Sequence, residues 1–98
     1  MSKLERDFQA SLVKEIKERF PGCIVTKMDS GQKQGIPDLL ILYKNKWATL
    51  ECKKSESASK RCNQIYYVDK MNEMSFSRIV FPENKEEVLH DLSQSFRD

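Results

Sequence analysis

Residues 36–53 read Ile36-Pro37-Asp38-Leu39-Leu40-Ile41-Leu42-Tyr43-Lys44-Asn45-Lys46-Trp47-Ala48-Thr49-Leu50-Glu51-Cys52-Lys53. The apolar run 39–43 is short and does not alternate. It predicts a central strand covered on both faces. Lys44-Asn45-Lys46 predicts a hairpin turn, with Asn45 suited to the left-handed conformation. Residues 47–53 then form a strand antiparallel to the first. Its period of two puts Trp47, Thr49, Glu51 and Lys53 on one face and Ala48, Leu50 and Cys52 on the other.

This pairing has a chemical consequence. It carries Asp38, at the start of one strand, close to Glu51, near the end of the next. Two carboxylates within a few ångströms repel unless a cation or a proton lies between them. A hard divalent ion, Mg²⁺ or Mn²⁺, suits such oxygen ligands and keeps waters for a phosphate substrate. Lys53, on the same face as Glu51, can then act on the attacking water or on charge developing at the phosphate. With the ion as Lewis acid, these parts suffice for in-line hydrolysis of a phosphodiester.

Outward from the hairpin, the pattern predicts an α/β (α+β) fold in the order α-β-β-β-α-β-α, a mixed four-stranded sheet flanked by helices. Leu4, Phe8, Leu12, Ile16 and Phe20 recur every four residues and mark a first helix over about 2–19, ended by Pro21-Gly22. Residues 23–28 read as a first strand and 29–37 as a polar, glycine-bearing loop. After the hairpin, Ser59 is placed as the N-cap of a helix running to about Met74. A fourth strand covers 76–81 and stops at Pro82. A last helix covers about 85–96, with Val88, Leu89, Leu92 and Phe96 as its apolar stripe.

Pro37-Asp38 followed thirteen residues later by Glu51-Cys52-Lys53 resembles the PD-(D/E)xK nuclease superfamily. The words Gly35-Ile36-Pro37-Asp38-Leu39-Leu40 and Ala48-Thr49-Leu50-Glu51-Cys52-Lys53, with Gln64 in the next helix, look like the virus-type replication-repair nuclease module (VRR-NUC) and the archaeal-type Holliday-junction resolvases. The likeness spans roughly residues 4–81. It implies a restriction-endonuclease-like core and a metal held by Asp38, Glu51 and the backbone carbonyl of Cys52. Glu5 of the first helix assists in that scheme, and Gln64 lies near the phosphate or the lysine. Asp38, Glu51, Lys53 and Gln64 are thus the expected catalytic set. The resemblance further implies DNA as partner, branched or duplex, a structure-selective endonuclease activity and a twofold homodimer. Trp47, Tyr66 and Phe76 are candidates for the dimer interface, although core packing is the default for each.

Charge distribution adds a candidate DNA surface. Residues 44–61 carry six basic against two acidic side chains, while 82–98 carry two against five. Lys44, Lys46, Lys54, Lys60 and Arg61, with Ser30 and Lys33 of the loop before Asp38, are candidate phosphate contacts. Individually each basic residue is better explained by solvation, and the net charge of +2 is no global signature.

At 98 residues the chain is expected to be one domain, able to fold without a disulfide or structural metal. Cys23, Cys52 and Cys62 lack zinc or disulfide spacing and read as small buried hydrophobes. No apolar run could span a membrane and no signal region opens the chain, so a cytoplasmic protein is expected. The motifs GxxxxGK[ST], GxSxG and HExxH are missing, and His90 has no partner for catalysis. Two rival functions stay open: a site-specific endonuclease of the restriction or homing type, and a DNA-binding module that keeps the fold without cleavage.

Overall fold

The computed structural model describes residues 1–97. Its elements are α1 (Lys3–Arg19), β1 (Ile24–Lys27), β2 (Leu39–Tyr43), β3 (Lys46–Cys52), α2 (Cys62–Met74), β4 (Phe76–Val80), a 3₁₀ turn (Pro82–Asn84) and α3 (Lys85–Ser95). The sheet order is β1-β2-β3-β4, with the first two pairings antiparallel and β3–β4 parallel. The fold is therefore α+β with a mixed four-stranded sheet, in the element order the sequence predicts.

One face of the sheet is apolar. Leu39 and Ile41 of β2, Ala48, Leu50 and Cys52 of β3, and Phe76 and Val80 of β4 are buried there. Against them pack Leu12, Ile16 and Phe20 from the α1 side and Val88, Leu89, Leu92 and Phe96 from the α3 side. Phe20, Tyr43 and Phe96 close one end of this core with ring centroids 5.3–5.5 Å apart. Glu15 and Arg19, polar residues within the apolar arc of α1, clasp the start of α3. Glu15 takes Lys85 Nζ at 2.9 Å, and Arg19 reaches both Glu15 and Glu86.

Among the described residues, the helix on the opposite face is α2, the crossover between the parallel strands β3 and β4. It packs through Val68 and through polar contacts. Thr49 Oγ1 bonds Ser77 Oγ at 2.7 Å, Asn72 Oδ1 accepts the Ser77 N–H, and Ser75 Oγ bonds the Trp47 carbonyl. One helix covers about two strands, because helices are roughly 10 Å across and strands about 4.8 Å apart.

That geometry corrects several expectations. β2 is central but only partly covered on the α2 side: Leu40 is half-buried there and Leu42 is exposed, beside Ile24, its β1 partner, at 60 %. Leu4 leads the predicted stripe yet is 71 % exposed; the buried positions of α1 are Gln9, Leu12 and Ile16. The left-handed turn residue is Lys44 (φ 57°), not Asn45. The hairpin closes on the Tyr43–Lys46 pair, which leaves Lys44 first in a two-residue turn, where primed turns need positive φ. Ser59 does not cap α2. Arg61 is the N-cap, and the Gln64 side chain accepts its N–H at 3.0 Å. Among the candidate interface residues, Phe76 is core, Trp47 is half-buried and Tyr66 is 58 % exposed. Cys52 is buried as expected, Cys23 is half-buried and Cys62 is exposed.

Candidate active site

The site forms where β2 and β3 stop pairing. The β2–β3 register runs Leu39–Leu50 at this end, so the next step sets Asp38 opposite Glu51 and the one after it Pro37 opposite Cys52. Proline has no N–H to return to the Cys52 carbonyl. The Cys52 N–H is taken instead by Asp38 Oδ2 at 2.9 Å. Asp38 is tied from the other side as well, its carbonyl accepting the Met28 N–H at 2.9 Å. Pro37-Asp38 therefore ends the ladder, frees a backbone carbonyl on β3 and fixes a carboxylate beside it.

Glu51 is 2 % exposed. Its Oε2 accepts from Gln64 Nε2 at 2.9 Å and lies 3.6 Å from Lys53 Nζ. Its Oε1 is buried, and no donor among the described residues reaches it. Burial, then the nearby Asp38 charge, pushes the Glu51 pKa up to about 7. Burial raises the Asp38 pKa too, opposed by the Cys52 N–H and assisted by Glu5. Burial also pushes the Cys52 thiol upward, so this cysteine is an inert packing group.

Lys53 lies past the end of β3 and is itself buried. Its backbone N–H bonds the Val80 carbonyl at 2.9 Å. Gln64 Oε1 accepts its ammonium at 3.0 Å while Gln64 Nε2 holds Glu51. One amide thus clamps the lysine and the glutamate and caps α2. Sequence position alone suggested that Gln64 faces inward; the double contact is supplied by the crossover.

Glu5 sits in the first turn of α1, its N–H bonded to the Ser2 hydroxyl at 3.2 Å. It lines the same cavity as Asp38, Glu51 and Lys53. Gln9, one turn further on, is buried at the Cys52 thiol. An apolar face interrupted by Glu5 and Gln9 was the available sequence signal for both.

The predicted basic residues divide. Lys53, Lys54, Arg61 and Ser30 line the cavity around the carboxylates. Lys33 is not among the residues that line it and lies instead 6.0 Å from the Tyr67 ring centroid. Lys60 folds back into its own loop, donating to the Glu56 and Ala58 carbonyls at 2.9 and 3.1 Å. Lys44 and Lys46 lie at the turn end of the hairpin, about 17 Å along the strand from Asp38 at ~3.4 Å per residue.

Two opposed carboxylates, a freed carbonyl and a buried glutamate oxygen without a donor fit a hard divalent cation. The cation would satisfy Glu51 Oε1 and relieve the repulsion that burial intensifies. Among the described residues no three His, Cys, Asp or Glu side chains close around one point. A cation here would thus rest on Asp38, Glu51 and the Cys52 carbonyl, with Glu5 further out. No described helix is long and apolar enough to cross a membrane. Among known proteins, neither a family model nor a curated sequence matches this chain.

Proposed function

We propose that the protein is a Mg²⁺- or Mn²⁺-dependent endonuclease that hydrolyses phosphodiester bonds in DNA, with a preference for branched structures. The observation that carries this reading is Glu51, buried opposite Asp38 with one oxygen that no donor among the described residues reaches and a lysine ammonium 3.6 Å from the other. Dry carboxylate pairs are costly unless something compensates them. Asp38, Glu51 and the Cys52 carbonyl would hold the ion. Bound there, it supplies Lewis-acid stabilisation of charge developing on the phosphate.

The chain's own groups do the rest. Gln64 and Glu51 hold the Lys53 ammonium so that it needs no reorganisation when charge develops nearby. Lys54 and Arg61 offset the negative field of the carboxylates and draw the DNA backbone toward them. The half of the sheet left open beside α2, with Ile24 and Leu42 exposed, is the natural seam for the dimer that the resemblance implies. Light scattering at micromolar concentration tests that point: a monomer with Leu42 intact removes it.

The test of activity is incubation with Mg²⁺ or Mn²⁺ and four DNAs: a four-way junction, a flap, a linear duplex and a supercoiled plasmid. Paired symmetric cuts confined to the junction are expected. One discrete cut in long duplex would move the assignment to a site-specific endonuclease. Binding without cutting, with Asp38→Ala equal to wild type, would make the protein a non-catalytic binding module. Lys53→Ala is expected to cut on the order of 10²–10³ times more slowly, with metal affinity within a few fold of wild type.

A further inference from the structure

The cavity over the carboxylates has two unequal arms. Asp38, Glu51, Ser30, Arg61 and Gln64 belong to both. The larger arm, about 850 Å³, runs past Lys53 and Lys54 to the serines of the loop before α2. The smaller, about 370 Å³, lies between loop 30–36 and the first turn of α2. It adds Gly31, Gln34, Gly35, Ile36 and Asn63, none of them charged. A phosphate backbone needs cations along its track, and the larger arm has them. A nucleobase needs amide and hydroxyl partners beside an apolar wall. The smaller arm adds two amides and an apolar side chain to the shared residues without adding charge, and its volume suits one small ligand, not a stacked duplex.

We propose that the smaller arm receives the base of one unpaired nucleotide adjoining the phosphate at the carboxylates. The substrate class is then DNA whose strand is splayed or single at that point. This rests on the nuclease reading and narrows it. Ser30, Gln34 and Asn63 supply a hydroxyl and two amides to the base edge, and Ile36 supplies the apolar contact.

The arm is pre-formed. Gly35 (φ +89°) lies so close to α2 that a Cβ would stand 2.7 Å from Asn63 Cγ and 2.8 Å from its backbone carbon. Any side chain there would lift the loop off the helix. The other end of the loop is held by Asp29 Oδ1, which accepts the Gly31 N–H at 2.8 Å. Asn63 Oδ1 is buried, and no donor among the described residues reaches it. Its amide is held in the wall without being fully engaged by the fold.

The test is fluorescence anisotropy in EDTA with the whole 98-residue chain and three DNAs of equal length. These are a continuous duplex, a forked duplex, and the same fork with an abasic residue as its first unpaired nucleotide. The fork is expected to bind about tenfold more tightly than the abasic fork, the scale of one lost base contact. Asn63→Ala and Gln34→Ala are expected to bind both forks alike. Gln34 is an exposed loop residue, so its variant keeps the test open if Asn63→Ala fails to fold. Equal affinity of wild type for the two forks overturns the pocket. The same DNAs are then incubated with Mn²⁺. Cleavage with equal affinities removes the pocket and leaves the nuclease. Base-dependent binding without cleavage removes the nuclease and leaves a base-binding site. Neither cleavage nor base dependence removes both.

Discussion

The two faces of β3 are almost equally dry and chemically opposite. Ala48, Leu50 and Cys52 are fully buried against α1 and α3; Thr49, Glu51 and Lys53 are buried almost as deeply on the α2 face. On the first face, burial itself stabilises, at about 25 cal/mol per Å² of apolar surface. On the second, each buried polar group must find a specific partner: Ser77 Oγ and Met71 Sδ for Thr49, and Gln64 for Lys53 and one oxygen of Glu51, with Lys53 Nζ 3.6 Å from that same oxygen. Among the described residues Glu51 Oε1 finds none. The fold thus draws its stability from one side of a strand and keeps a buried, only partly partnered carboxylate on the other.

The largest expected contrast comes from truncating the apolar face. Leu50→Ala should lower unfolding free energy by about 2–5 kcal/mol, through lost transfer energy and the cavity left behind. Denaturant titration at pH 5 and pH 8 should give the same loss. A loss below ~1 kcal/mol would mean that this face is not the stabilising one.

On the polar face the sign should reverse. The Glu51 pKa is raised to about 7 from an ordinary 4.5, so the folded protein binds a proton that the unfolded chain has released. The associated stability is fully present below about pH 4.5, falls as the pH rises through 7, and then levels off. Glu51 alone should remove about 3 kcal/mol across that window, and Asp38 shifts in the same direction. Glu51→Gln stays neutral, so without metal it should be more stable than wild type by about 1–2 kcal/mol at pH 8 and no more stable at pH 4.5. A wild type without metal that is more stable at pH 8 than at pH 5 would contradict the burial of this carboxylate.

A smaller effect separates partnered from unpartnered groups. Ser77→Ala alone should cost about 1–2 kcal/mol, because it leaves the Thr49 hydroxyl to the weak Met71 Sδ acceptor at 3.4 Å. The double variant Thr49→Val/Ser77→Ala should be within about 1 kcal/mol of wild type, both polar groups having gone together. Additive losses in this cycle would show that the 2.7 Å bond is not what satisfies them.

The difference between the faces was largely legible before the fold was known. Alternation in 47–53 separates Ala48, Leu50 and Cys52 from Thr49, Glu51 and Lys53, and the hairpin spacing sets Asp38 against Glu51. These are local features, governed by a period of two and a short turn. What was not legible depends on where a layer ends. Leu4 keeps the helical stripe but lies exposed near the end of α1. Leu42 belongs to an unbroken apolar run, yet α2 does not reach over it. Lys60 has the charge of a phosphate contact but is held by carbonyls of its own loop. Gly35 signals a special backbone, while its contact with Asn63 joins two segments that no periodicity relates. The bridge from Gln64 to Glu51 and Lys53 likewise arises only when the crossover lays α2 over the strand.

Shared coordination by Asp38 and Glu51 is tested most directly by isothermal calorimetry of Mn²⁺ binding at pH 7 in two buffers of different ionisation enthalpy. Wild type should bind, with a heat that depends on the buffer because ion binding expels the Glu51 proton. Asp38→Ala and Glu51→Gln should each weaken binding at least about tenfold, the range seen when a metal site is perturbed, and Glu51→Gln should abolish the buffer dependence. Mn²⁺ binding that is absent in wild type, or undisturbed by both substitutions, would show that the two carboxylates do not share an ion.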